Sequence, residues 1–153
     1  MLFVCENNRY GMGTSVQRAS ATVNLYRRAQ CYAMEVESVD GMDVLAVLET
    51  AERTIDCVRR EKRPIFVEAT TYRFRGHSVA DPGMYRTKEE IEEWRKRDPI
   101  AHFANVLAGE GTLSREDAGK IDIECAQQIQ EAVDFADASK VLPLDAVYED
   151  VYA

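Results

Sequence analysis

A chain of 153 residues, 46% apolar and 30% charged, has the length and composition of one soluble globular domain with a real core. Its formal charge of -8 and the shortness of its basic clusters, Arg27-Arg28 and Arg59-Arg60-Glu61-Lys62-Arg63, exclude a nucleic-acid role. No apolar run approaches the roughly 20 residues of a membrane span, and the first residues lack the charged and apolar regions of a signal peptide.

Leu2 to Glu6 reads as a buried parallel strand. Asn7 to Ser15, with Gly11 and Gly13, reads as a loop. Weak periodicity from Val16 to Gln30 predicts loop or short helical turns. Alternation over Ala33-Met34-Glu35-Val36-Glu37 predicts a strand, and Val39-Asp40-Gly41 a turn. From Met42 to about Arg60 the residues Val44, Val47, Leu48, Ala51, Ile55 and Val58 recur at helical steps and predict one apolar face. Pro64 ends that helix. Ile65 to Thr70 is rich in strand formers. Strand, helix, strand is the unit of a parallel sheet.

Tyr72 to Arg86 holds Gly76, Pro82 and Gly83 and reads as a long loop, a kind that is often functional. Thr87-Lys88-Glu89-Glu90 is a capping-box signature in which the Glu reaches back, and it starts a helix to about Arg97. Asp98-Pro99 starts another helix. Ser114-Arg115-Glu116-Asp117 caps a longer one, with Ala118, Ile121, Cys125, Ile129, Ala132, Val133 and Ala136 as its apolar stripe. Both apolar stripes read as core and subunit packing. Cys5, Cys31, Cys57 and Cys125 form no Cys-x-x-Cys pair, and most have apolar neighbours. They read as buried thiols in a reducing compartment, not as a zinc site or a disulfide framework.

The chemistry gathers at two places. An apolar strand ending in polar amides and glycines is where an open α/β sheet takes its ligand, beyond the carboxyl ends of the strands. Asn8 offers a neutral, hard oxygen suited to a divalent cation, and the Tyr10 carbonyl is a second. On residues alone, Asn7-Asn8 reads equally as a plain turn. His77, in the long loop after Arg73 and Arg75, reads as a solvated residue or as a proton donor. Arg73 is a solvated loop charge or a phosphate ligand. His102 gets no role.

The run Glu6-Asn7-Asn8-Arg9-Tyr10-Gly11-Met12-Gly13-Thr14-Ser15-Val16-Gln17-Arg18-Ala19 resembles the alpha subunits of thiamine-dependent 2-oxo acid dehydrogenases, above all those of pyruvate dehydrogenase complexes. The likeness continues through Gly76-His77-Ser78, Asp81-Pro82-Gly83 and Tyr85-Arg86-Thr87. It covers most of this chain but only the second half of the family's subunit, because the Gly-Asp-Gly turn that opens the family's motif is missing. The resemblance implies an α/β thiamine diphosphate-binding fold, a parallel sheet flanked by helices. Residues 1–86 would form its C-terminal part with the cofactor-covering loop, and residues 87–153 a helical region packed on it. It implies that Asn8 and Tyr10 hold Mg²⁺ on thiamine diphosphate. Arg73 would contact the diphosphate, and His77 would lie beside it and the substrate.

Ser78 matches a residue that is phosphorylated in mitochondrial members. The second regulatory Ser of those members is absent between Gly83 and Tyr85. That absence points to a bacterial cytoplasm, with the mitochondrial matrix as the alternative. The implied activity is oxidative decarboxylation of pyruvate with acetyl transfer to a lipoyl group. The implied partners are a beta subunit, in an α2β2 heterotetramer, and the lipoyl domain of the acyltransferase core. Branched-chain 2-oxo acid or acetoin dehydrogenase is the alternative within the class. An inactive truncated interaction piece is the alternative outside it. The isolated chain is expected to bind thiamine diphosphate poorly.

Overall fold

The apolar runs Leu2-Phe3-Val4 and Ile65-Phe66-Val67 lie side by side in a parallel sheet. The computed structural model describes residues 1–151. In chain order, strand β1 (Leu2–Asn7) leads into a hairpin of β2 (Tyr10–Gly11) and β3 (Thr14–Ser15). Two short helices follow, α1 (Val16–Ala19) and α2 (Tyr26–Gln30), then β4 (Glu35–Asp40), α3 (Val44–Glu61) and β5 (Ile65–Thr70). Helices α4 (Lys88–Arg95), α5 (Pro99–Gly109) and α6 (Arg115–Ala138) come next, with a 3-10 turn at Leu144–Tyr148. The chain divides into two compact units, Met1–Val106 and Leu107–Ala153.

In the first unit the sheet order is β1-β5-β4, all parallel. The predicted strand-helix-strand unit is therefore present as β4-α3-β5. Because the strands are parallel, Asn7, Thr70 and Asp40 stand level at one carboxyl edge. The turn after β1 and the long loop after β5 both leave from that edge, which is where an α/β sheet takes ligands.

The core is Ile65, Val67 and Val39, with Leu2, Val47, Cys57 and Val58 packed on it. Fully burying a side chain such as Ile65, 1% exposed, stabilises by about 1.5–3 kcal/mol. β1 is parallel as expected but only half buried. It lies at the sheet's edge, so Phe3 and Val4 (64% exposed) have no covering layer among the described residues. β4 runs on to Asp40, through the residues read as a turn. Val39 belongs to the core, and the turn begins only where Gly41 N–H donates to the Thr70 carbonyl at 2.8 Å.

α3 spans the expected residues, capped by Asp43, whose side chain accepts from the Leu45 and Ala46 amides. Its buried face overlaps the one predicted, with Ala51 half buried and Val47 and Val58 packed on the core, but is turned slightly from it. Thr50 and Thr54 are buried, while Val44, Leu48 and Ile55 are exposed. Thr54 can be buried because its hydroxyl donates to the Thr50 carbonyl at 2.8 Å, which leaves its methyl for packing.

In the second unit Ser114 caps α6 by accepting from the Asp117 amide at 3.0 Å. Ile121, Ile129 and Val133 are exposed, so the stripe read as core and subunit packing is not core within this unit's described residues. The four cysteines are free, and none is fully buried. Cys31, at the end of α2, and Cys125, on α6, are exposed. No helix among the described residues is long and apolar enough to cross a membrane.

Candidate functional site

The turn after β1 is built by two asparagines in sequence. The Asn7 Oδ1 accepts the Arg9 amide at 3.0 Å, and the Asn8 Oδ1 accepts the Tyr10 amide at 3.2 Å. These side chains stand in for backbone partners, the usual reason for Asn in turns. Together they hold Arg9 at φ 69°, a left-handed conformation that a long side chain rarely adopts. The Arg9 carbonyl then accepts from the Val16 amide at 2.8 Å. The hairpin β2-β3, which the glycines of the sequence concealed as a loop, follows at once. Gly13 is needed there, since a Cβ would lie 3.1 Å from the Tyr85 ring.

Helix α4 is tied to this turn. Thr87 caps it as expected, accepting the Glu90 amide at 3.1 Å. Glu90 does not reach back as the capping box predicts. It accepts instead from the Tyr10 hydroxyl at 2.9 Å and the Tyr72 hydroxyl at 3.0 Å. Burial, then the Glu90 carboxylate, raises both phenols, that of Tyr72 to about 12, so both stay donors at working pH. Trp94 stacks flat on Tyr72, with centroids 5.0 Å apart, and Arg9 lies 4.9 Å over the same indole.

The loop 72–86 has two hubs. Arg86 is buried among the rings of Tyr85, Tyr72 and Tyr10, its guanidinium carbon 5.3, 5.4 and 5.8 Å from their centroids. It donates to the carbonyls of Arg73 and Arg75. Asp81 accepts from the His77 amide at 2.9 Å, the Gly83 amide at 2.9 Å and the Tyr85 hydroxyl at 2.8 Å. Its Oδ2 also lies 2.8 Å from His77 Nδ1. The His77 and Gly83 amides, then the imidazole and the phenol, hold this carboxyl well below the usual carboxylate range. A lowered folded pKa supports the folded loop fully above the unfolded value, about 3.9. That support goes only as pH falls through the still lower folded value. Protease resistance of the loop is therefore expected to stay level from neutral pH down to about pH 5. Loss of resistance near pH 6 would contradict this.

Gly76 faces Asp81 so closely that a Cβ would lie 2.4 Å from the Asp81 carbonyl oxygen. Gly76→Ala is expected to loosen the loop by about 1–3 kcal/mol, the usual effect of overpacking. Tryptic cleavage between Arg73 and Arg86 should rise about tenfold or more, read by timed digestion.

The residues singled out from the sequence are placed as follows. Asn8 and Tyr10 share the turn. The loop of His77 packs on that turn through Tyr85, whose ring lies 5.4 Å from that of Tyr10, and through Arg73, which donates to the Met12 carbonyl at 3.3 Å. Asn8 and His77 make no hydrogen bond to each other. Ser78 and His102 are exposed. Asn7, Glu68, Asp81, Arg86 and Glu90 organise the site and were not singled out. Asn7, Asp81 and Arg86 carry a signal as members of the motif runs, Glu90 carries one only as a capping residue, and Glu68 carries none.

Among the described residues three buried side-chain atoms lack partners: Thr71 Oγ1, Arg73 Nε and Arg86 Nε. A buried guanidinium N–H without an acceptor fits an anionic ligand. The Asn8 side-chain oxygen and the Tyr10 carbonyl are hard donors that fit Mg²⁺. Among the described residues one cluster of His, Cys, Asp and Glu could hold a metal, Glu35, Cys57 and Glu61, and it lies elsewhere. Arg63 pairs with both of its glutamates. A cavity of about 310 Å³ adjoins the turn, with Asn7, Arg9, Tyr10, Glu68, Glu90 and Trp94 in its walls.

Comparison with known proteins follows the same lines. A family profile described as dehydrogenase E1 component matches residues 1–145. The chain is 42% identical to the rat (Rattus norvegicus) protein named pyruvate dehydrogenase E1 component subunit alpha, somatic form, mitochondrial, over 99% of this chain and 39% of that one. It is 43% identical to the probable mitochondrial alpha subunit of Caenorhabditis elegans, over 99% and 38%. Against the mitochondrial alpha subunit of Sminthopsis macroura it is 42% identical, over 99% and 42%. The chain thus spans about two fifths of the length of the curated relatives it matches. It belongs to the dehydrogenase E1 component family.

Proposed function

We propose that this chain is the part of a pyruvate dehydrogenase alpha subunit that grips the diphosphate end of thiamine diphosphate through Mg²⁺. One observation carries the reading. Two hard oxygens, of Asn8 and Tyr10, sit on a turn at the sheet's carboxyl edge, against a loop whose Arg73 holds an unpartnered buried N–H. Thiamine diphosphate supplies, when bound, the electron sink that decarboxylation of a 2-oxo acid requires. Asn8 Oδ1 and the Tyr10 carbonyl would bind the metal, which keeps its other positions for phosphate and water. Arg73 would face the diphosphate. Asp81, ionised, can only accept, so His77 Nδ1 carries the proton and Nε2 is left to take or give one beside the substrate.

The names of the relatives support pyruvate as the substrate, and the words subunit alpha support a further subunit as partner. That this partner is a beta subunit in an α2β2 assembly, and that the acetyl group passes to a lipoyl domain, rests on the resemblance of the motif runs. The relatives' names also fit a mitochondrial location, the alternative to a bacterial cytoplasm. Ser78, exposed beside His77, is the residue at which phosphorylation would disturb the site. The test is an assay of the full-length subunit with its beta subunit, Mg²⁺ and thiamine diphosphate. Turnover of pyruvate above 2-oxoisovalerate and acetoin is expected. Preference for either of the others would overturn the choice of substrate, and no turnover of any would overturn the enzyme reading.

A further inference from the structure

The middle of β5 carries an anomaly. Glu68 is 2% exposed in the central strand, flanked in register by Cys5 and Ser38. Such positions are normally apolar. Among the described residues no cation pairs with it, and packing alone would be served better by a hydrophobic residue. Its two oxygens are nevertheless fully committed. Oε1 accepts from Asn7 Nδ2 at 2.5 Å, and Oε2 accepts from the Tyr26 amide, in the first turn of α2, at 2.7 Å.

From Asn7 the effect runs onward. With its Nδ2 held by Glu68, the Asn7 amide has one orientation, and its Oδ1 is aimed at the Arg9 amide. That bond keeps Arg9 at its positive φ, and the chain then turns so that Asn8 and Tyr10 follow in fixed sequence. Asn7 is buried and makes no use of the solvent. The neighbouring asparagines have separate tasks: Asn7 is the pivot, and Asn8 presents its oxygen.

We propose that Glu68 is the positioning residue of the metal-binding turn, acting through the Asn7 amide. This rests on the reading of Asn8 as a metal ligand. Residues that orient a ligand typically alter metal affinity 10- to 100-fold when replaced.

The test uses the full-length subunit assembled with its beta partner, with Mn²⁺ as the probe in the presence of thiamine diphosphate and free Mn²⁺ read by electron paramagnetic resonance. Hydrogen exchange at the Arg9 and Val67 amides is followed in parallel. Glu68→Gln places an amide where an acceptor is needed. Asn7→Asp removes the donor but keeps the oxygen that Arg9 uses. Each alone is expected to weaken Mn²⁺ binding about tenfold or more and to speed exchange at Arg9 while Val67 stays protected. The two together exchange donor for acceptor across the same contact and should restore most of the affinity and of the protection. Should Glu68→Gln fail to fold, Asn7→Asp and the exchanged pair still decide. Single variants with unchanged affinity, or an exchanged pair no better than the singles, overturn the proposal. Asn8→Ala is the control. If it loses Mn²⁺ while Glu68→Gln and Asn7→Asp keep it, only the positioning role falls. If Asn8→Ala binds Mn²⁺ unchanged, the metal-ligand reading falls and this proposal with it.

Discussion

Asn8→Ala is expected to lower pyruvate turnover about 10²-fold or more while leaving the chain folded. The two effects separate because Asn8 does little for the fold. It is half buried, and its side chain makes one local bond, at 3.2 Å, to the Tyr10 amide. Losing such a bond costs about 0.5–1.5 kcal/mol. A bound divalent cation is worth several kcal/mol to the chemistry it organises, and each 1.4 kcal/mol is about tenfold in rate. The apparent affinity for Mg²⁺ should fall with the rate, and a large excess of Mg²⁺ should recover part of it. The checks are Mg²⁺ titrations of activity and a thermal melt. Activity within about threefold of the parent would remove Asn8 from the metal site.

His77→Ala is expected to cost a comparable 10²- to 10⁴-fold, the usual range for a positioned proton donor or acceptor. The imidazole is more than a third exposed and is held by its contact with Asp81, so stability should change little. Asp81→Asn should cost less, about 10- to 100-fold, because the ring remains but its tautomer and direction are no longer set. That order, His77→Ala below Asp81→Asn, is the informative result. The Mg²⁺ requirement should be unchanged in both, since neither residue belongs to the turn. An Asp81→Asn enzyme slower than His77→Ala would mean that the carboxylate acts on more than the imidazole. Tyr85 would then be the next residue to replace, because its hydroxyl shares the same oxygen.

Much of this fold is legible in the residues. Strands β1 and β5 announce themselves by apolar and β-branched runs between turn formers. Thr87 and Ser114 mark helix starts because a hydroxyl there has a local task. The turn proposed to hold the metal is legible from Asn-Asn placed at the end of a strand. What escapes is whatever depends on a distant partner. The face that α3 buries is decided by the sheet beneath it, which accepts Thr50 and Thr54 once the Thr54 hydroxyl is bonded to its own helix. Glu90 follows the capping rule in its spacing, yet two tyrosines from other segments take both its attention and its charge. Glu68 looks like the polar member of a half-exposed strand. Its burial follows from what lies over that face of β5, where the start of α2 brings the Tyr26 amide onto its carboxylate. β4 reads short in the sequence because Asp40 and Gly41 are turn formers, although Asp40 still pairs with Thr70 in the sheet while opening the turn.

Arg86 makes the segment from Tyr72 to Arg86 a cross-tied body. One planar cation spans the chain it belongs to, gripping two carbonyls near its beginning from a position at its end, inside a collar of three phenol rings. A strap laced in this way keeps its two ends fastened together beside the hairpin, while its tip, where Ser78 projects, stands clear of the knot.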